Sequence, residues 1–394
     1  MTLLGAILFW GGLAAIASTY VIYPLFVVLV SRILGPEPEP AEITPDVTLI
    51  VSAFNEAEVI RSKLENALAL DYPPDRLQIL VISDASDDGT DEIVQEFRDP
   101  RVVLCRQEPR GGKSRGITRF MESARGEAVV FSDANSMYEP LALRWLVKHL
   151  SNPRVGYVVG YQGYDAATET NVADSENTYW QYEVAIKQAE SRICSVVGGD
   201  GAIYAIRKSL WVPLADDDIS DFVLPLRIIA QGYRGVFERR AKCTEETASS
   251  FAGEFRRKVR IVNRSFTGLM RVPQTLNPFR VGAFSFLLFF HKVVRWFVPF
   301  LLVAVLVGNG LLLVTSGSPI YWIALGGQMA CYALAGLGTI PALGRFKPFY
   351  IPYFFCLVNI ACARGILQSI RGQRTVLWKP ERGPDVAADS PPSS

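Results

Sequence analysis

Val129–Tyr138, VVFSDANSMY, is the stretch that decides how this chain folds. Four apolar or small residues run straight into Asp133-Ala134-Asn135. That is the signature of a buried strand ending in an acidic residue. In an open α/β sheet the carboxyl ends of the strands line the crevice where ligands bind. A carboxylate there, followed two residues later by another oxygen donor, can hold a hard divalent cation. Asp-x-Asn also serves ordinary turns, so the neighbouring segments decide between the two.

Working outward, strands and helices alternate. Val47–Ala53 reads as an apolar strand, Glu56–Leu70 as a helix, Leu77–Ser83 as a strand and Asp91–Phe97 as a helix. Arg101–Arg106 is a strand, Arg115–Ser123 a helix and Glu127–Ser132 a strand. This rhythm predicts a mostly parallel sheet covered on both faces. No GxGxxG or Walker-type phosphate fingerprint is present. Polar clusters recur at the expected strand ends: Ser52-Ala53-Phe54-Asn55-Glu56, Asp84, Gly111-Gly112-Lys113, and Asp133 with Asn135. A nucleotide in that crevice could be met by Glu56 and Asp84 at base and ribose, and by Lys113 at phosphate. Asp84 reads equally well as a helix cap, and Lys113 as a solvated loop lysine.

The flanks are of another kind. Leu3–Val30 carries no charge and is long enough to cross a bilayer. It lacks a basic start and stays apolar past Ala15-Ile16-Ala17, so it reads as an uncleaved anchor spanning residues 1–34. Arg32 then places the following domain in the cytoplasm. Residues 35–46, rich in proline and acid, read as a semi-rigid stalk, and 47–276 as the soluble domain. Residues 277–296, with His291, Lys292 and Arg295, read as an interfacial helix, and 297–370 as membrane helices. If the segment Tyr350–Ala363 crossed, the basic tail after it would lie outside, against the positive-inside tendency. Residues 371–394 form a polar tail whose end has a disordered composition. A net charge of +1 offers no case for a nucleic-acid partner. Six scattered cysteines and two histidines exclude a multi-histidine metal site and read as reduced packing residues.

The segments SAFNEAE, SDASDDGTDEI, GGKSRG and SDAN resemble the nucleotide-sugar half of the family 2 glycosyltransferases. The second half continues the likeness. Val197–Arg207 resembles that family's glycine-rich acceptor-side segment, with Gly199, Asp200 and Gly201 at its centre. Asp217-Asp218-Ile219-Ser220-Asp221-Phe222 resembles its catalytic acidic motif, and Glu254–Arg260, EFRRKVR, the basic motif that follows.

The resemblance implies a GT-A (Rossmann-like) fold and inverting transfer from a nucleoside-diphosphate sugar. UDP is the family's commonest nucleotide. Asp221 would be the general base, with Asp217 and Asp218 as runners-up. Donor contacts would come from Ala53, Glu56, Asp84, Lys113, Asp133, Arg257 and Arg260, and Mg²⁺ or Mn²⁺ would sit at Asp133 and Asn135. The acceptor would be lipid-linked or a polysaccharide at the bacterial inner membrane. Tyr179, Trp180 and Tyr182 could stack on sugar rings, or simply pack. The chain departs from the pattern in three places: Asn135 for a second Asp, Ser220 where an acid often stands, and Arg257 and Ile261 where processive synthases carry Gln and Trp. These departures motivate a rival, a degenerate nucleotide-binding subunit.

Overall fold

The computed structural model describes residues 1–164, 171–245 and 251–377, without the side chains of 164, 171–180, 251 and 252. The tail beyond Gly383 and the side chains of Tyr179 and Trp180 lie outside that description. Among the described residues one eight-stranded sheet forms, β1 Val47–Ala53, β2 Leu77–Ser83, β3 Val102–Arg106, β4 Ala128–Asp133, β5 Met137–Tyr138, β6 Val155–Tyr164, β7 Tyr204–Arg207 and β8 Arg234–Glu245. Its order is β3-β2-β1-β4-β7-β6-β8-β5.

The first four strands are parallel, with Ala53 level with Ser83 and Ser52 with Asp133. β1 is buried at every position and β4 at all but its terminal Asp133, as strands covered on both faces must be. The other half differs from the expected parallel sheet. β7 runs antiparallel to β4 and β6, and β8 runs parallel to β6. Hence β8 ends at the same rim as β4, and β7 begins there. The rim therefore gathers the ends of β1, β2, β4 and β8 with the residues leading into β7.

Helices α2 Ala57–Leu68, α3 Thr90–Glu96, α4 Lys113–Phe120 and α5 Ala142–Lys148 cover the first half. The second half adds α6 Asn171–Ile193, α7 Ser220–Ala230 and α8 Phe251–Arg271. The expected helix and strand boundaries of the first half hold to within three residues.

Among the described residues four helices are long and apolar enough to cross a membrane: Thr2–Leu34 (α1), Phe284–Ser316 (α9), Pro319–Leu337 (α10) and Lys347–Ile370 (α11). α9 is continuous through Phe297, where an interfacial piece and a crossing were expected to meet. His291 and Arg295 do not break it, because α6 supplies Glu183 and Glu190 as partners. α11 ends against the α/β domain: Asn263 Nδ2 lies 3.4 Å from the Gly365 carbonyl, and the Thr267 and Ser369 hydroxyls are 2.7 Å apart. The proline-rich linker is likewise held to the domain, with Glu39 on Lys148 at 2.8 Å and on Arg240 at 2.9 Å.

Candidate active site

Asp133 ends β4 with its side chain still 40% exposed, as a ligand-facing carboxylate must be. Lys113, the first residue of α4, puts Nζ 2.5 Å from Asp133 Oδ1 and 3.4 Å from the Gly201 carbonyl. Gly201 leads into β7. A methyl group at that position would lie 3.5 Å from Asp221 Oδ2 and 3.7 Å from Asp133 Oδ2. Both carboxylates therefore open on one spot. Gly199 donates its N–H to the Asp221 carbonyl at 2.5 Å, and a Cβ there would stand 2.7 Å from that oxygen, so only glycine fits.

The acidic run splits. Asp221 sits in the first turn of α7, half-buried and facing the rim. Burial raises its pKa. Lys113 opposes this, while the charges of Asp200 and Asp133 add to it. Asp217 and Asp218 turn away. Arg271 meets Asp217 at 2.7 and 2.8 Å and also pairs with Asp218, which Arg227 holds at 3.0 Å. Ser114 of α4 donates to the Asp218 carbonyl at 2.6 Å, so this brace ties α4, α7 and α8 together.

Asp84 is buried, and its oxygens accept the amides of Gly111 at 2.7 Å and Gly112 at 3.0 Å, together with Gln107 Nε2. It shapes the loop that delivers Lys113. The Ala53 carbonyl accepts the Asp84 amide at 2.9 Å, which locks the ends of β1 and β2 together. Glu56, buried, donates its backbone N–H to the Thr90 hydroxyl oxygen at 2.9 Å. Asn135 is half-buried, two residues beyond Asp133. Asp200 is buried and 3.4 Å from Lys187 Nζ. Tyr182 donates to the Tyr20 carbonyl at 3.0 Å, a structural contact between α6 and α1.

On α8, Arg257 is near enough to Glu245 to lower its pKa. Arg260 and burial bring Arg264 down to about 10, against the pull of Asp221, Asp217 and Asp218. Arg257, Arg260 and Arg264 follow helical spacing, so one basic face looks onto the carboxylate cluster.

Two side chains were missed in the sequence. Glu245 ends β8 at the same rim as Asp133, accepting from the Ser136 hydroxyl and from Gln162 Nε2 at 2.5 Å. Burial and the charges of Asp133 and Asp200 push it up to about 7, while Ser136 and Arg257 pull the other way. Applying the strand-end rule to the second half of the sheet would have found it. Lys63, fully buried on α2, donates to Ser132 Oγ at 2.8 Å and to the Ser136 carbonyl. It props the Asp133–Asn135 turn from beneath. Burial lowers it to about 8.

An accumulation of negative charge, already drawing one ammonium to Asp133, suits a hard cation with oxygen ligands. No three acidic, histidine or cysteine side chains come into metal-binding geometry among the described residues. The fit is therefore to a cation sharing its ligands with a bound phosphate, as Mg²⁺-type ions are commonly held.

Residues 48–211 match the model of glycosyl transferase family 2. A probable glycosyltransferase of Bacillus subtilis, YdaM, is 28% identical over 229 residues, 55% of this chain and 54% of that protein. The poly-beta-1,6-N-acetyl-D-glucosamine synthase of Staphylococcus aureus is 23% identical over 57% of this chain and 56% of its own length. The chain thus spans about half the length of the curated relatives it matches. Among solved structures, a mannosyltransferase of Pyrobaculum calidifontis, in complex with GDP-Man and Mn²⁺, superposes with a TM-score of 0.66. It is 22% identical, over 94% of this chain and 100% of that one.

Proposed function

We propose that the chain, whose residues 48–211 match the glycosyl transferase family 2 model, is an inverting glycosyltransferase built on the GT-A fold. It moves a sugar from a nucleoside-diphosphate sugar to a lipid-linked or polysaccharide acceptor at a membrane. The observation that carries this reading is Asp221 facing Asp133 and Lys113 across Gly201.

In this reading the donor diphosphate lies over Asp133, with Lys113 neutralising charge that grows as the bond to the sugar breaks. Arg257 and Arg260 add guanidinium contacts to the same oxygens. Asp84 positions the loop, while Glu56 and Ala53 line the nucleotide end. Asp221 accepts the proton of the acceptor hydroxyl as that oxygen attacks the anomeric carbon from the side opposite the diphosphate. A carboxylate whose proton affinity is raised by burial suits that task. Gly199–Gly201 leave room for the acceptor to reach it. Mg²⁺ or Mn²⁺ held by Asp133, with Asn135 as second oxygen, supplies electrostatic stabilisation of the leaving diphosphate.

The four apolar helices support an acceptor met at a bilayer. α1, α9 and α10 cross in this reading. With α9 and α10 crossing, α11 begins on the domain's side, and its last turns pack on α8 on that same side, so it does not cross. The basic tail then stays on the side of the catalytic domain, the cytoplasmic side of a bacterial inner membrane, in keeping with the charge rule. The second reading, a nucleotide-binding subunit without turnover, rests on Asn135 and Ser220.

Thermal shift of the detergent-solubilised chain with UDP, GDP, CDP or TDP, each with Mn²⁺, Mg²⁺ or EDTA, tests the donor site. A metal-dependent rise with one nucleotide is expected, since a ligand of the folded state stabilises it by mass action. No rise with any of them in folded protein would remove the donor site. A rise without turnover of any nucleotide sugar would favour the second reading.

A further inference from the structure

α6 carries Glu183, Lys187 and Glu190 at helical spacing on one buried face. Lys187 reaches Asp200. Glu183 meets Arg295 at 2.5 Å and His291 Nε2 at 3.2 Å, both on α9. Glu190 is fully buried and shared between two bodies. Its Oε1 accepts the Tyr23 hydroxyl of α1 and lies 2.5 Å from His291 Nδ1. Its Oε2 accepts the Val197 amide at 3.1 Å. Val197 opens the segment whose Gly199 amide binds the Asp221 carbonyl and whose Gly201 separates Asp221 from Asp133. One carboxylate therefore holds the apolar helix bundle with one oxygen and the acceptor-side backbone with the other.

We propose that Glu190 is a positioning residue for sugar transfer, fixing Val197–Gly201, and through it Asp221, by reference to His291 and Tyr23 of the bundle. The proposal rests on the transferase reading above. Its chemistry is geometric. A carboxylate accepts on both oxygens at once, whereas a carboxamide has one acceptor oxygen, so one side loses its acceptor and keeps a bond only where the Tyr23 hydroxyl or the His291 ring turns to accept from the amide. Small displacements of this kind cost rate more than binding, because proximity and alignment are lost.

The test uses the full chain in detergent. Glu190→Gln should lower kcat by about 30- to 100-fold per nucleotide-binding-competent molecule, while the donor KM stays within about twofold. His291→Ala should behave similarly, and His291→Gln, which restores a donor to Oε1, should recover most of the lost rate. Hydrogen exchange should quicken at 197–203 in Glu190→Gln and stay unchanged in β1–β4. Normal kcat in Glu190→Gln, or a rate loss fully explained by fewer binding-competent molecules, would overturn the proposal. So would unchanged exchange at 197–203, a readout that needs no turnover. Absence of turnover in the unmodified chain would instead strike the transferase reading.

Discussion

Asp218 and Asp221 lie three residues apart, one just before α7 and one in its first turn, and do opposite things. Asp218 is buried between Arg227, Arg271 and the Ala215 amide, its charge answered on both oxygens. Asp221 faces Asp133, Asp200 and one lysine, its proton affinity raised. The first arrangement builds a scaffold and the second stores unanswered charge at a rim. Residue type is the same in both, and the partners, all distant in sequence, make the difference. A carboxylate whose environment leaves it under-compensated in a crevice is the better candidate for chemistry.

Substitutions should separate the two regions. Asp221→Asn should cut transfer by at least about 100-fold, the usual scale for losing a general base, with nucleotide affinity within a few fold and the melting temperature little changed. Asp218→Asn should do the reverse: it breaks a buried ion-paired cluster and should cost about 3–5 kcal/mol of stability, read as a lowered melting midpoint. Asp133→Ala should weaken metal-dependent nucleotide binding in titration calorimetry. Unchanged affinity would take it out of the donor site.

A smaller effect concerns pH. Glu245 has a folded pKa of about 7 against an ordinary 4.5. The folded state therefore binds more protons in that window, and its stabilising contribution is complete below pH 4.5 and lost as pH rises through 7. Glu245→Gln should flatten the fall in melting temperature across that range, and an unaltered slope would mean the carboxylate is not strained by its neighbours. Smallest of all, Asn135→Asp should tighten metal-dependent nucleotide binding modestly if that side chain is a ligand.

Much of this was legible in the sequence where the signal is local. The period of β1–β4 and their helices gave the parallel half of the sheet, and the strand-end rule found Asp133, Asp84 and Lys113. The mixed half was not read. β7 is only four residues long and the buried run of β8 is interrupted by the exposed pair Arg239 and Arg240. Glu245 was lost with them. Lys63 looks solvated in sequence, since nothing local tells that Ser132 and Ser136 receive it. The same holds for His291 and Arg295, which read as an interfacial break until α6 is seen to provide Glu183 and Glu190. Asp221 stood ahead of Asp217 and Asp218 only by its place in the family motif; Arg227, Arg271 and Lys113 give the three different surroundings in three dimensions.

The most direct test is release of nucleoside diphosphate from UDP-, GDP-, CDP- and TDP-sugars by membranes containing the unmodified chain, Asp221→Asn or Asp218→Asn, normalised to folded protein. The expected result is release from one donor class by the unmodified chain and by folded Asp218→Asn, with almost none from Asp221→Asn. Equal release by Asp221→Asn and the unmodified chain would contradict the assignment of Asp221 as the base.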